Sequence, residues 1–132
     1  MTGTRLLCEA CKIGNLPLVT GLVEAGFRDK DALYWAVDNN HLDVVKYLVE
    51  AGFQDDDALY YAVRMNHLYI VHYLVKSRFK CDNALYWAVH NNRLGIVRYL
   101  VEAGFRDDYA FSCAVRYDCL EIADYLRLKG IL

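Results

Sequence analysis

A period of 26 residues runs through the chain and limits its fold more than any other feature. Residues 33–58 and 85–110 agree at 19 of 26 positions, and residues 33–58 and 59–84 agree at 14. An apolar residue opens each copy at this spacing, at Leu7, Leu33, Leu59, Leu85 and Phe111. Such self-similarity is typical of repeat proteins in which each unit contacts only its neighbours. The sequence therefore predicts five stacked units within a single repeat domain, residues 1–132.

Each unit contains two short helical patterns. In residues 33–58, Leu33, Ala36 and Val37 follow the spacing of a first helix, and a second apolar stripe begins near Leu42. We expect side-chain N-caps for the first helices at Asp31, Asp57 and Asn83. We expect left-handed C-terminal residues, a geometry that Gly and Asn tolerate, at Gly14, Asn40, Asn66, Asn92 and Asp118. The pattern predicts an all-α helical-repeat solenoid of five helix–turn–helix units: residues 7–32, 33–58, 59–84, 85–110 and 111–132.

The second helices and the chain ends carry further signals. Glycine followed by an apolar residue, typical of a Schellman cap, ends four second helices at Gly26, Gly52, Gly104 and Gly130. Arg78 replaces this glycine in the third unit and predicts a distorted turn, because a left-handed side chain costs about 1 kcal/mol. Glu9, Lys12 and Arg127 make the first and last units more polar. We therefore expect these two units to act as caps.

The segments NNHLDVVKYLVEAG and ALYWAV resemble the ankyrin consensus segments GHLEVVKLLLEAGA and TPLHLAA, and the likeness covers residues 6–131. Ankyrin units have about 33 residues, so the stretch between Gly52 and Leu59 lacks room for the β-hairpin finger. The resemblance implies a short, hairpin-free ankyrin variant similar to arrays of giant DNA viruses, although an engineered consensus array would have a similar sequence. It also implies a non-catalytic protein–protein interaction module, in which His41 and His67 brace the turn and the neighbouring unit.

Aromatic residues face away from the predicted core on three first helices. Because Leu33, Ala36 and Val37 face inward, Trp35 faces the opposite side, as do Tyr61 and Trp87 at the same position of the next two units. Helices pack 8–10 Å apart, so the rings of successive units would form a ladder about 20 Å long. Trp, Tyr and Arg are common binding hot spots. We expect a concave partner-binding face on the inner (first) helices, lined by Trp35, Tyr61, Trp87, Asp38, Arg64, His90, Arg116 and Tyr117.

Two alternatives to this partner-binding face stay open. The rings could instead be framework that covers the groove left by the missing hairpins, as we expect for the scaffold tyrosines Tyr34, Tyr60 and Tyr86. The chain could also be a structural, self-associating repeat protein that forms a homo-oligomer. The charged end units argue against end-to-end stacking, so a monomer that binds an unidentified protein is the expected state.

Composition and motifs argue against other functions. The net charge is −2 without a basic stripe, which disfavours nucleic-acid binding, and no apolar run exceeds six residues, which disfavours a membrane partner. The Cys8–Cys11 pair lacks a second CxxC, so we expect no metal. Without a catalytic or cofactor motif, we expect neither an enzyme nor a cofactor.

Two weaker signals concern location and charge. The five cysteines lack regular spacing and predict reduced thiols in an intracellular protein, located in the cytoplasm, or in the host cytoplasm if the chain is viral. A local basic patch could bind an acidic partner, although such runs are more often solvated: His72, Lys76, Arg78 and Lys80.

Overall fold

The computed structural model describes residues 2–132, and every regular element in that range is an α-helix. Ten helices follow one another: α1 (Gly3–Ile13), α2 (Leu16–Glu24), α3 (Ala32–Asp38), α4 (Leu42–Glu50), α5 (Ala58–Arg64), α6 (Leu68–Lys76), α7 (Ala84–His90), α8 (Leu94–Glu102), α9 (Ala110–Arg116) and α10 (Leu120–Leu128). They form five consecutive pairs, each with a first helix (odd number) and a second helix (even number). The predicted all-α solenoid of five helix–turn–helix units is confirmed.

The first helices form one row, and the second helices form another row beside it. Each first helix contacts its own second helix and the first helix of the next pair. An alanine is fully buried at one repeated position of the first helices, which lets neighbouring backbones approach closely: Ala10, Ala36, Ala62, Ala88 and Ala114. The buried apolar side chains of all five pairs form one continuous core, so each pair is stabilised by its neighbours.

The first helices end as predicted, in the left-handed conformation. At the ends of the first helices, φ lies between 58° and 74° at Gly14, Asn40, Asn66, Asn92 and Asp118. The second helices end in the same way, and the predicted distortion at Arg78 is wrong. Arg78 has φ 67° and donates to the Val75 carbonyl at 3.1 Å, as Gly52 does to Val49 at 3.0 Å. The Schellman bonds, together with the half-buried Phe79, therefore hold the arginine in a strained geometry.

Replacing Arg78 with glycine is expected to raise the free energy of unfolding by about 1 kcal/mol, because glycine adopts a positive φ without strain. Urea unfolding followed by circular dichroism would measure the change. Asn66→Gly is the matched control at φ 62°, and it should change stability less, since asparagine tolerates this region. Equal effects of the two substitutions would contradict strain at Arg78.

The first helices begin where the sequence predicts, directly after Asp31, Asp57 and Asn83, but the expected side-chain caps are wrong. Neither Asp31, Asp57 nor Asn83 forms a side-chain capping bond. Asp31 has φ −91° and ψ −2° rather than the extended backbone from which an N-cap side chain reaches the helix. The carboxylate two residues earlier accepts a bond instead. Asp55 Oδ1 accepts from the Asp57 N–H at 2.9 Å, and Asp29 accepts from Asp31 at 2.8 Å.

A backward hydrogen bond joins each of the last four pairs to the first helix of the pair before it. His41 Nε2 lies 2.8 Å from the Lys12 carbonyl, and His67 Nε2 lies 2.9 Å from the Asp38 carbonyl. These contacts agree with the bracing role expected for both histidines. Other residue types occupy the same position in the next two pairs. The donors there are Arg93, to Arg64 at 3.0 Å, and Cys119, to Val89 at 3.7 Å.

Candidate functional site

The three aromatic rings predicted to form a ladder are half-buried and lie along one face of the first helices. They do not contact one another directly. The Tyr34 ring lies between Trp35 and Tyr61, with centroid distances of 4.9 and 4.7 Å. The Tyr60 ring likewise lies between Tyr61 and Trp87, at 5.9 and 5.3 Å. All of these contacts are edge-to-face, the arrangement that aromatic quadrupoles favour.

The row of rings continues into the last two pairs. Tyr86 contacts Trp87 at 5.3 Å, and His90 stacks on Tyr86 at 5.9 Å. Tyr117 then meets the edge of His90 at 4.9 Å. We call the whole row the aromatic band, and its members are Trp35, Tyr34, Tyr61, Tyr60, Trp87, Tyr86, His90 and Tyr117. Tyr34, Tyr60 and Tyr86, which we predicted to be scaffold, connect the rings of the predicted ladder.

Basic side chains of the chain itself lie over the band. The Lys12 ammonium is 4.0 Å from the centre of the Trp35 ring. The Arg64 guanidinium lies 5.5 Å from the Tyr60 ring and 5.8 Å from the Tyr61 ring, and Arg116 lies 5.9 Å from Tyr117. Seven of the eight predicted site residues therefore belong to the band or lie over it. Asp38 is half-buried, and its backbone carbonyl accepts the backward bond from His67.

Carboxylates lie along the edge of the band at which the first helices begin. Burial, together with the charges of Asp57, Asp31 and Asp56, raises the pKa of Asp55, although its bond from the Asp57 N–H opposes the shift. Burial and the charges of Asp55 and Asp57 also raise the pKa of Tyr61. The turn between α4 and α5 therefore places negative charge beside the centre of the band.

Asp55→Asn is expected to stabilise the protein at neutral pH by up to about 0.5 kcal/mol, a modest value because the side chain is partly exposed. The raised pKa means that folding disfavours the ionised carboxylate, and asparagine can still accept the Asp57 bond. The gain should shrink as the pH falls through the folded pKa of Asp55, because the wild type then becomes protonated. Thermal unfolding across this pH range measures the effect. Asp29→Asn is the control, because it removes the equivalent carboxylate of the preceding turn, where Arg28 and Lys30 are the adjacent residues. Its gain in stability should be smaller.

A groove of about 780 Å³ opens between two successive turns. Tyr60 and Trp87 line it, Asp55, Asp56 and Asp57 come from one turn, and Arg78, Phe79, Lys80 and Cys81 come from the next. The predicted basic patch is split by this arrangement. Arg78 and Lys80 line the groove, whereas His72 belongs to α6 and stacks on Tyr99 at 3.7 Å. Burial and the nearby Lys76 lower the pKa of His72.

The cysteine side chains are protonated thiols at neutral pH. Burial raises the pKa of Cys8 to about 11 and the pKa of Cys11 to about 12. All five cysteines are free thiols. No group of three potential metal ligands occurs within residues 2–132.

The stacked helix pairs with one aromatic face define a helical-repeat solenoid. The chain belongs to the ankyrin repeat family: a model of three ankyrin repeats matches residues 7–83, and a model of one ankyrin repeat matches residues 80–108. Because residues 2–132 contain no strand, it is a variant without the β-hairpin fingers. Members of this family generally bind other proteins and are generally non-catalytic. Comparison with curated proteins found no match. Among the helices described, none is long and apolar enough to cross a membrane.

Proposed function

We propose that this chain is a non-catalytic protein-interaction module that binds its partner on the concave face of the first helices, through the aromatic band. The continuous row of half-exposed rings carries this proposal, since Trp, Tyr and Arg are enriched in the energetic centres of protein interfaces. Rings held edge-to-face lose little conformational freedom on binding, so the surface is pre-organised. The predicted residue Asp38 would lie beside the rings at the contact.

The test is affinity capture from the source cell, followed by measurement of the dissociation constant for the captured protein. Trp35→Ala combined with Trp87→Ala is expected to weaken binding at least about tenfold. Tyr47→Ala combined with Tyr99→Ala is the matched control, because these half-buried rings lie on second helices. Wild-type affinity in the Trp double variant would refute the proposal.

Removal of half-buried rings also tests folding, so circular dichroism and thermal unfolding accompany both double variants. A milder pair, Arg64→Ala with Tyr117→Ala, leaves the central rings in place. It is expected to weaken binding about threefold without lowering the helix content. Unchanged affinity in this pair would exclude Arg64 and Tyr117 from the interface.

Self-association is the second candidate function, and one observation favours it. The last helix pair exposes apolar side chains, with relative exposures of 56% at Val115, 63% at Leu120 and 83% at Leu128. At the equivalent of Val115 in earlier pairs, Val37 and Val63 are fully buried by the pair that follows. Sedimentation over a range of concentrations distinguishes the two functions, because a concentration-independent monomer excludes self-association. We propose the monomer as the binding state.

The proposed location is the interior of the cell, and the free thiols support it. All five cysteines are unpaired, as is typical of proteins in reducing compartments. Detection of a disulfide in protein isolated from its source under thiol-trapping conditions would argue against this location.

A further inference from the structure

The aromatic band already accepts cations, but only along one edge. Lys12, Arg64 and Arg116 lie at the C-terminal ends of α1, α5 and α9, and each approaches a ring of the band. Cation–π contacts of this kind stabilise by about 0.5–1 kcal/mol at exposed sites. The rings of the band therefore have the chemistry to hold a lysine or arginine side chain.

The opposite edge of the band has carboxylates that form no ion pair within the described residues. Asp55, Asp56 and Asp57 lie in the turn before α5, and the charge of Asp31 from the previous turn acts on Asp55. None of these carboxylates forms an ion pair, because the two ion pairs within residues 2–132 are Lys12–Glu9 and Arg127–Asp124.

Arg78 and Lys80, in the turn that follows, line the opposite wall of the groove and form no ion pair with these carboxylates. The arginines of the turns before and beyond are bound to backbone carbonyls. Arg28 donates to the Ala51 carbonyl at 2.9 Å and lies 4.5 Å from the Phe53 ring. Arg106 donates to the carbonyls of Val101 and Phe105, at 3.1 and 2.8 Å. The carboxylates of the turn between α4 and α5, called the central turn from here on, therefore lack an ion-pair partner within the described residues and can bind a cation from outside the chain.

We propose that the partner docks a basic segment here, with a lysine or arginine side chain over the Tyr60 and Trp87 rings and against the carboxylates of Asp56 and Asp57. This inference rests on the proposed function and names the chemistry of the partner. Charge complementarity selects the occupant, since an acidic segment would be repelled by this wall. Arg78 and Lys80, on the opposite wall of the groove, direct the cation to the side of the central turn.

Tryptophan fluorescence gives a local readout, because the chain has two tryptophans and both belong to the band. Unlabelled octaarginine, titrated at low ionic strength, is expected to change the emission in a saturable way. Asp56→Asn with Asp57→Asn should weaken this binding about fivefold. Asp55 stays in place in this variant, so the bond that it accepts from residue 57 is kept. Glu50→Gln with Glu102→Gln removes the same charge from the second helices and should leave the affinity unchanged.

Three results would overturn the inference: equal weakening in both double variants, no saturable change with octaarginine, or tighter binding of octaglutamate. The proposed function is tested separately, with the captured partner. If the Trp35/Trp87 variant loses that partner while the Asp56/Asp57 variant keeps full affinity, the band is the interface and the basic segment is excluded. If neither variant affects the captured partner, both proposals fail.

Discussion

Replacing Leu59 with alanine is expected to lower the free energy of unfolding by about 3 kcal/mol, within the range for large-to-small changes in cores. Leu59 is fully buried in α5, the central first helix, which contacts α3, α6 and α7. The change removes apolar contacts on both sides of the central pair and leaves a cavity that helices on either side prevent from closing. Urea unfolding followed by circular dichroism measures the loss.

Leu128→Ala is the matched control for this prediction. Leu128 is also a helical leucine, but it is 83% exposed, so the same substitution should change stability by no more than about 0.5 kcal/mol. If unfolding proceeds pair by pair, the Leu59 variant should also broaden the transition, because the central pair couples the two halves of the array. Similar losses in both variants would contradict the core assignment of α5.

Gly14→Ala is expected to destabilise the protein by about 3 kcal/mol, for two additive reasons. Gly14 has φ 74°, which costs a side chain about 1–2 kcal/mol. A Cβ at this position would also overlap the His41 imidazole. The ring would then have to move, and it would lose its contact with the Lys12 carbonyl at 2.8 Å, which costs about a further 1 kcal/mol.

Gly52→Ala separates these two causes. Gly52 has φ 92°, but a Cβ there would meet no atom within 4 Å. The control should therefore show the backbone strain alone, about half the loss at Gly14. Thermal unfolding of both variants gives the comparison. Equal losses would mean that His41 contributes nothing to the junction between the first two pairs.

The fold could be predicted from the sequence because its period and its caps depend on local chemistry. The 26-residue repeat, the apolar spacing and the asparagines after the first helices determine where each helix lies and ends. The positions of the N-caps were predicted correctly, but their side-chain bonds were not, because Asp31 has helical dihedral angles and the preceding carboxylate, Asp29, makes the turn bond instead. The turn at Arg78 was predicted wrongly, because its Schellman hydrogen bonds outweigh local strain of about 1 kcal/mol.

The site was predictable only in part. Helical periodicity placed Trp35, Tyr61 and Trp87 on one face, but it could not show that Tyr34 and Tyr60 fill the spaces between them. That arrangement depends on the distance between neighbouring helices, which the sequence of a single helix does not encode. The groove could not be predicted for the same reason, because two turns from different units form its walls. The signal that was available, tyrosine recurring immediately before each ladder position, was assigned to scaffold.

The backward hydrogen bonds affect how the number of repeats in such an array can change during evolution. Each donor side chain reaches a backbone carbonyl of the preceding unit, and every unit supplies that carbonyl whatever its side chains. His67 and Arg93 therefore perform the same task without any matching substitution in the neighbour. Duplication or deletion of one 26-residue segment among the later units would leave every junction with both its donor and its acceptor. The architecture is suited to growth and contraction by recombination between copies of its own gene segment.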